Sequence, residues 1–234
     1  EIINADSMQV YKEFSILSSR PSRSETRQVK HHLYGSISVK KYFSAGDWLK
    51  EAKIKINLCL KKKKIPIIVG GTGLYFNTIT RGISKIPDID SRTRNKVRKL
   101  FKKLGFINFY EKLLELDPKV KSKIIPTDSQ RAQRAYEVKL KTKKSLFDWI
   151  ENTKSDFLDY DLKKIFLDIP REELLKKISK RTDLMFNQKC INEVIKFNSL
   201  KLNESLSVNK LIGIQEINSY LRGSITLDQC KELI

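Results

Sequence analysis

The strongest constraint on the fold is an alternation across residues 1–82. A short apolar run, Ile2, Ile3 and Ala5, leads into Asp6, and a second, IPIIV at 65–69, leads into Gly70 and Gly71. Between them Ser44 precedes Asp47 by three positions, the spacing of a reciprocal helix cap. Leu49, Ala52, Ile56, Cys59 and Leu60 then recur at helical period. The stretch GTGLYFNTITRG (71–82) leaves the second run and enters another helix. Strand, helix, strand, helix in succession implies a parallel sheet covered by helices, because parallel strands need a long crossover.

The intervening and later segments read differently. Residues 12–30 are polar, contain Pro21 and read as irregular; 31–39 (HHLYGSISV) has room for a short strand. Residues 88–151 hold no strand pattern and are punctuated by Gly105, Pro118 and Pro126, which predicts an all-helical insertion. KKIFLDI (163–169) returns to strand character, and Pro170 opens a helix at the first turn, where proline is tolerated. The expected fold class is α/β: a parallel sheet flanked by helices, formed by 1–87 and 152–234, with 88–151 inserted as a helical domain.

Charge narrows the partners. The 234 residues carry 47 Lys and Arg against 27 Asp and Glu, a net charge of +20. An excess of this size favours a polyanion, most simply nucleic acid, although a lysine run such as KKKK (61–64) also solvates a surface. Cys59, Cys190 and Cys230 lie far apart with no CxxC spacing, which suits a reducing compartment and argues against a zinc site. No apolar run approaches the roughly 20 residues needed to span a bilayer. These features predict a cytoplasmic protein without a membrane partner. Nothing in the pattern advertises a self-complementary apolar surface, so a monomer is expected.

Three constellations could carry chemistry. In open parallel sheets, ligands bind beyond the carboxyl ends of the strands. Two strands end there in polar sequence, one at Asp6 and Ser7 and the other at GGTG (70–73). Glycines admit close backbone approach, and a helix N-terminus offers free N–H groups to an anion. A tight turn and a helix-capping Asp would look the same. In TDSQRAQRAYEV (127–138), Thr127 or Asp128 can cap a helix on which Gln130, Arg131 and Arg134 share a face. That face suits phosphates and base edges, or simply water. Leu174, Ile178, Arg181 and Met185 step by four, three and four, placing Arg181 on an apolar stripe. A partly buried guanidinium there needs either an internal carboxylate or a substrate phosphate.

Taken in order, EIINADSMQVY, HHL, YFSAGDW, IPIIVGGTGLYF, DSQRAQRAYEV and IGIQEINSYLRG resemble the tRNA dimethylallyltransferase family over essentially the whole chain. The resemblance implies a P-loop-NTPase-like sheet and transfer of a dimethylallyl group from dimethylallyl diphosphate, with Mg²⁺ assisting. The acceptor is the exocyclic N6 amine of the adenosine next to the anticodon in tRNA. It implies that Asp6 is the general base and that Arg181 handles the diphosphate. Asp6, Ser7, Met8 and Gln9 match the segment around the target adenosine. Thr72, Arg94, Gln130, Arg131, Ala132, Gln133, Arg134, Lys210 and Gly213 match tRNA-binding positions, with the helical insertion clamping the anticodon stem-loop.

Some positions depart from the family pattern. IGIQE (212–216) stands where IGY[KR]E is usual, with Lys210 nearby, and ILSSRPS (16–22) replaces IGTAKPS. The resemblance places a diphosphate-cradling P-loop upstream of Glu1 and a further tRNA-contacting segment after Ile234. It expects little activity from a chain without that loop. The same residues leave two rivals: an adenylate isopentenyltransferase that makes cytokinins, and an inactive RNA-binding remnant.

Overall fold

The computed structural model describes residues 1–203 and 206–234. Its sheet has three parallel strands in the order β2, β1, β3, built from β1 (Ile2–Asn4), β2 (His31–His32) and β3 (Ile67–Val69). Ile2 and Ile3 pair with His31 and His32 on one side, and Ile2, Ile3 and Asn4 pair with Ile67, Ile68 and Val69 on the other. β1 is therefore central. Its carboxyl end, followed by Asp6, lies beside that of β3.

Two crossovers connect the strands. The first carries α1 (Arg23–Gln28), where the sequence reads as irregular. Ser22 and Glu25 explain the difference. The Ser22 N–H donates to Glu25 Oε2 at 2.7 Å and the Glu25 N–H donates to Ser22 Oγ at 3.3 Å, which secures the first turn despite Pro21. The second carries α2 (Ala45–Lys61), capped as its sequence predicts: the Ser44 N–H reaches Asp47 Oδ2 at 2.9 Å and the Asp47 N–H reaches Ser44 Oγ at 3.2 Å. Leu49, Ala52, Ile56 and Cys59 are buried along with Trp48, but Leu60 is exposed. The buried face runs through Trp48, Leu49, Ala52, Ile56 and Cys59 and leaves Leu60 outside it.

The chain divides into two compact units, Glu1–Phe76 with Asp161–Ile234, and Asn77–Tyr160. Helix α3 (Gly73–Arg81) runs from the first into the second. In the first unit Trp48 stacks on Tyr75, with ring centroids 4.3 Å apart and planes 9° from parallel, and the Trp48 indole N–H donates to the Asn4 carbonyl at 2.7 Å. The large ring buries its surface while its one donor is satisfied. The carboxyl-terminal part adds α7 (Arg171–Asn187), α8 (Cys190–Ser199), α9 (Ile214–Leu221) and α10 (Leu227–Leu233). Their inner faces pack with Val10, Phe14 and Leu17.

Residues 163–169 correct an expectation. They form no strand, and Ile165, Phe166 and Leu167 are each more than four-fifths exposed. Apolar β-branched sequence makes a segment suitable for a ladder but does not supply the partner edge. Among the described strands none pairs with it.

The second unit is helical: α4 (Ser91–Leu116), α5 (Ser129–Thr142) and α6 (Leu146–Glu151), with a 3₁₀ turn at Pro118–Val120. α4 breaks at Gly105, where φ is 72° and ψ −172°. Phe109, Leu113, Val97, Ala132 and Ala135 form its core.

Candidate active site at the carboxyl ends of β1 and β3

The ends of β1 and β3 are stitched together. The Ala5 N–H donates to the Val69 carbonyl at 2.7 Å, and the Thr72 N–H donates to the Ala5 carbonyl at 3.1 Å. A Cβ built on Gly70 would lie 2.2 Å from the Ala5 carbonyl carbon and 2.7 Å from the Asp6 nitrogen, so only glycine lets the two strand ends approach this closely. The Asp6 N–H donates to Asn4 Oδ1 at 2.8 Å, and the buried Asn4 amide reaches the carbonyls of Asp6 and Leu33. Asn4 thus fixes the backbone on which Asp6 sits.

The two oxygens of Asp6 differ. Oδ1 accepts the N–H groups of Met8 at 2.7 Å and Gln9 at 3.2 Å, a capping arrangement that turns the chain. Oδ2 faces the glycine turn, 4.0 Å from a Cβ built on Gly71. The Ser7 N–H donates to Thr72 Oγ1 at 2.9 Å. Asp6, Ser7, Met8, Gln9 and Thr72 are all half-buried, open enough to meet a ligand and ordered by local bonds. Gln9 spends its amide on the Ser18 carbonyl at 3.0 Å.

Two tyrosines belong to this corner although the strand-end pattern does not single them out. Burial raises the Tyr34 hydroxyl above its ordinary pKa, and the Asp6 charge adds to the shift. Burial raises the Tyr75 hydroxyl further, with Tyr11, Asp6 and Asp47 contributing. Both phenols stay protonated at neutral pH. The available signal is their place in the sequence: Tyr34 follows HHL, and Tyr75 lies three residues after Thr72.

Arg181 stands elsewhere. Its guanidinium donates to the Leu17 carbonyl at 3.3 Å and is exposed, not partly buried as its helical stripe predicts. Leu174 and Ile178 are also exposed, so the inner face of α7 is carried by Thr182 and Met185 instead. Arg181 and Arg20 line an open cleft of about 270 Å³ with Ser15, Ser19 and Glu25. None of Asp6, Ser7 and Thr72 lines that cleft.

In the second unit, Gln130 and Arg131 are exposed on α5, and Arg131 pairs with the capping Asp128 at 3.2 Å. Gln133 bonds back to the Ser129 carbonyl, and Arg134 approaches Glu137 to 3.6 Å. Arg94 is half-buried on α4. Ala132 is buried in the core of this unit. Lys210 is exposed, whereas Gly213 is buried with φ at 99° and caps α9, where a Cβ would meet the Leu17 side chain at 2.6 Å.

Among the described residues one set of three mixed metal-ligating groups occurs, Glu1, His32 and Cys59. Glu1 precedes β1, at the opposite end of that strand from Asp6, His32 ends β2 and Cys59 lies on α2; Glu1 already bonds His32 at 2.6 Å. No helix among the described residues is long and apolar enough to cross a membrane.

The profile of the family described as IPP transferase matches residues 9–234. The tRNA dimethylallyltransferase of Pelagibacter ubique is 53% identical over 234 residues, covering 100% of this chain and 75% of that protein. The enzyme of the same name from Rickettsia felis is 42% identical over 230 residues, covering 98% and 74%. The crystal structure of the full-length tRNA isopentenylpyrophosphate transferase from Bacillus halodurans aligns with a TM-score of 0.65 at 28% identity, over 100% of this chain and 72% of that one. A eukaryotic dimethylallyltransferase acting on tRNA shares the fold with a TM-score of 0.80 at 24% identity, over 99% of this chain and 59% of that one.

Proposed function

We propose prenyl transfer to tRNA from one premise: the chain belongs to the IPP transferase family. The protein transfers a dimethylallyl group from dimethylallyl diphosphate to the exocyclic N6 amine of the adenosine next to the anticodon. The observation that carries this reading is the division of labour within Asp6. One carboxylate oxygen holds the turn, and the other faces the glycine loop beyond the central strand.

The adenine amine is a weak nucleophile because its lone pair is delocalised into the ring. As nitrogen attacks the allylic carbon, the bond from that carbon to the diphosphate oxygen breaks and its electron pair leaves with the diphosphate. The proton lost by nitrogen passes to Asp6 Oδ2, general-base catalysis worth on the order of 10²–10⁴ in rate. Thr72 and Ser7 hold the aspartate turn against the glycine loop. The target base has to leave its stack to reach such a corner.

Arg181 is the cationic donor this reading assigns to the diphosphate, whose charge grows as it departs; it acts from the cleft it shares with Arg20, which Asp6, Ser7 and Thr72 do not line. Ser7 and Thr72, whose hydroxyls bond each other, would offer oxygen ligands to Mg²⁺, a cation held largely by carboxylates and substrate phosphates. When bound, it neutralises charge on the leaving diphosphate. The helical segment 88–151, with Arg94, Gln130, Arg131 and Arg134, grips the anticodon stem-loop; Lys210 adds a cation on the first unit. The reaction belongs to a monomer in the cytoplasm; three buried free cysteines support the reducing compartment.

Asp6→Asn tests the assignment. Asparagine keeps a side-chain oxygen for the cap but cannot take the proton. The variant is expected to bind tRNA normally while prenyl incorporation falls about 100-fold or more. Near-normal turnover removes Asp6 as the base. AMP assayed alongside tRNA distinguishes the substrate class, and preference for AMP overturns the tRNA reading.

A further inference from the structure

Helix α5 carries an acid on its inner face. Ala132, Ala135 and Val138 are buried there, and Glu137 is only 8% exposed among them. A carboxylate in such a place requires compensating charge. Arg134, three residues earlier, brings Nη1 to 3.6 Å from Glu137 Oε2. Two further guanidinium groups come from α4. Arg94 and Arg98, four apart and so on one helix face, both draw the Glu137 carboxyl back toward ionisation against the burial that raises it. The Arg94 Nε is itself buried and makes no hydrogen bond among the described residues. Lys141 bonds Asp90 at 2.9 Å, tying the last turn of α5 to the cap of α4 and holding the two helices in register.

We propose that Glu137 is a positioning residue that holds Arg134, with Arg94 and Arg98, as a cationic fork for a backbone phosphate of bound RNA. The proposal rests on the tRNA reading above and names a subsite within it. One acid needs one arginine for neutrality; three arginines around it leave two positive charges over. A guanidinium has five N–H donors, so a single contact with Glu137 leaves most of those on Arg134 available. The Arg134 side chain is 40% exposed and can present them outward. A phosphate has the paired oxygens and the charge to accept bidentate bonds from such a group.

The sign of one substitution separates positioning from bare charge. Removing a negative charge near an RNA site should tighten binding if Glu137 merely opposes the phosphate. If it aims the arginines, removal should loosen binding. The test is tRNA binding by the whole protein, titrated with salt, for wild type and Glu137→Gln, with thermal unfolding measured in parallel. The expected result is affinity about fivefold to tenfold lower and a log–log salt slope shallower by about one. Binding as tight as wild type or tighter overturns the proposal while leaving the tRNA reading intact. A wild-type protein that does not bind tRNA overturns both. Should Glu137→Gln not fold, Arg98→Lys decides: it keeps the charge on an exposed position but loses the planar fork, and unchanged affinity overturns the proposal.

Discussion

Thr72 and Ser7, distant in the chain, are joined twice: Thr72 Oγ1 accepts the Ser7 N–H at 2.9 Å and donates to Ser7 Oγ at 3.2 Å. The bonds tie the glycine loop after β3 to the aspartate turn after β1. Thr72→Val keeps the shape and removes both. Each lost bond costs about 1 kcal/mol, and a stranded Ser7 N–H costs a similar amount again. Prenyl transfer should fall about tenfold and the unfolding temperature should drop by several degrees, and Thr72→Ser should restore most of both. Equal kcat for the valine variant and wild type would show that this tie does not position Asp6.

Gly70 makes a sharper demand. The atoms a Cβ would strike, at 2.2 and 2.4 Å, are the carbonyl carbon and oxygen of Ala5, which cannot swing aside as a side chain would. Gly70→Ala is expected to push the end of β3 away from β1, destabilise the protein by about 3 kcal/mol, as overpacked sites do, and abolish transfer. Gly73→Ala is the control, because nothing lies within 4 Å of a Cβ at Gly73. Similar behaviour of the two variants in denaturant titration and activity would contradict the close-approach argument.

These residues also mark what sequence could and could not disclose. The Asp6 and GGTG strand ends are legible because two apolar runs stop at polar residues and parallel topology brings such ends together. The Ser44–Asp47 cap is legible because it is local. Ser22 and Glu25 have the same spacing and encode the start of α1 locally, although Pro21 and the polar surroundings mask it. Arg181 misleads because helical periodicity reports which residues share a face, not whether anything covers that face. Residues 163–169 mislead in the same way, since a strand is completed only by a neighbouring edge. Glu193 carries no local signal at all: its partners lie at the other end of the chain.

Those partners make Glu193 a direct test of the packing of α8. Its carboxylate accepts the N–H of Ser15 at 2.8 Å, of Ile16 at 3.0 and 3.1 Å and of Leu17 at 3.1 Å, and the Ser15 hydroxyl at 2.9 Å. Successive N–H groups converging on one anion form a nest. Glu193→Ala leaves these donors without their acceptor and is expected to destabilise the protein by about 3 kcal/mol, with Glu193→Gln intermediate. Hydrogen exchange at Ser15, Ile16 and Leu17 should accelerate more than exchange in β1. Unaltered protection at these amides would mean that other contacts hold the segment.

Asp90 gives the fold a pH dependence of known sign. It caps α4, accepting the Thr93 N–H at 2.8 Å and the Thr93 hydroxyl at 3.0 Å, and meets Lys141 at 2.9 Å. The Thr93 backbone bond, then the bonds from Lys141 and the Thr93 hydroxyl, hold its carboxyl well below the usual carboxylate range. The folded protein therefore binds this proton less tightly than the unfolded chain. The stabilisation is present in full above the ordinary carboxylate value of about 4. It fades as pH falls through that value toward the folded one. Asp90→Asn keeps an oxygen for the cap but cannot be ionised, so the wild type should exceed it in unfolding temperature near neutrality. The gap should close progressively in acid, and high salt at neutral pH should shrink it by screening the exposed Lys141 pair. A gap that stays constant from neutral pH into the acid range would show that the charge on Asp90 contributes nothing beyond the cap.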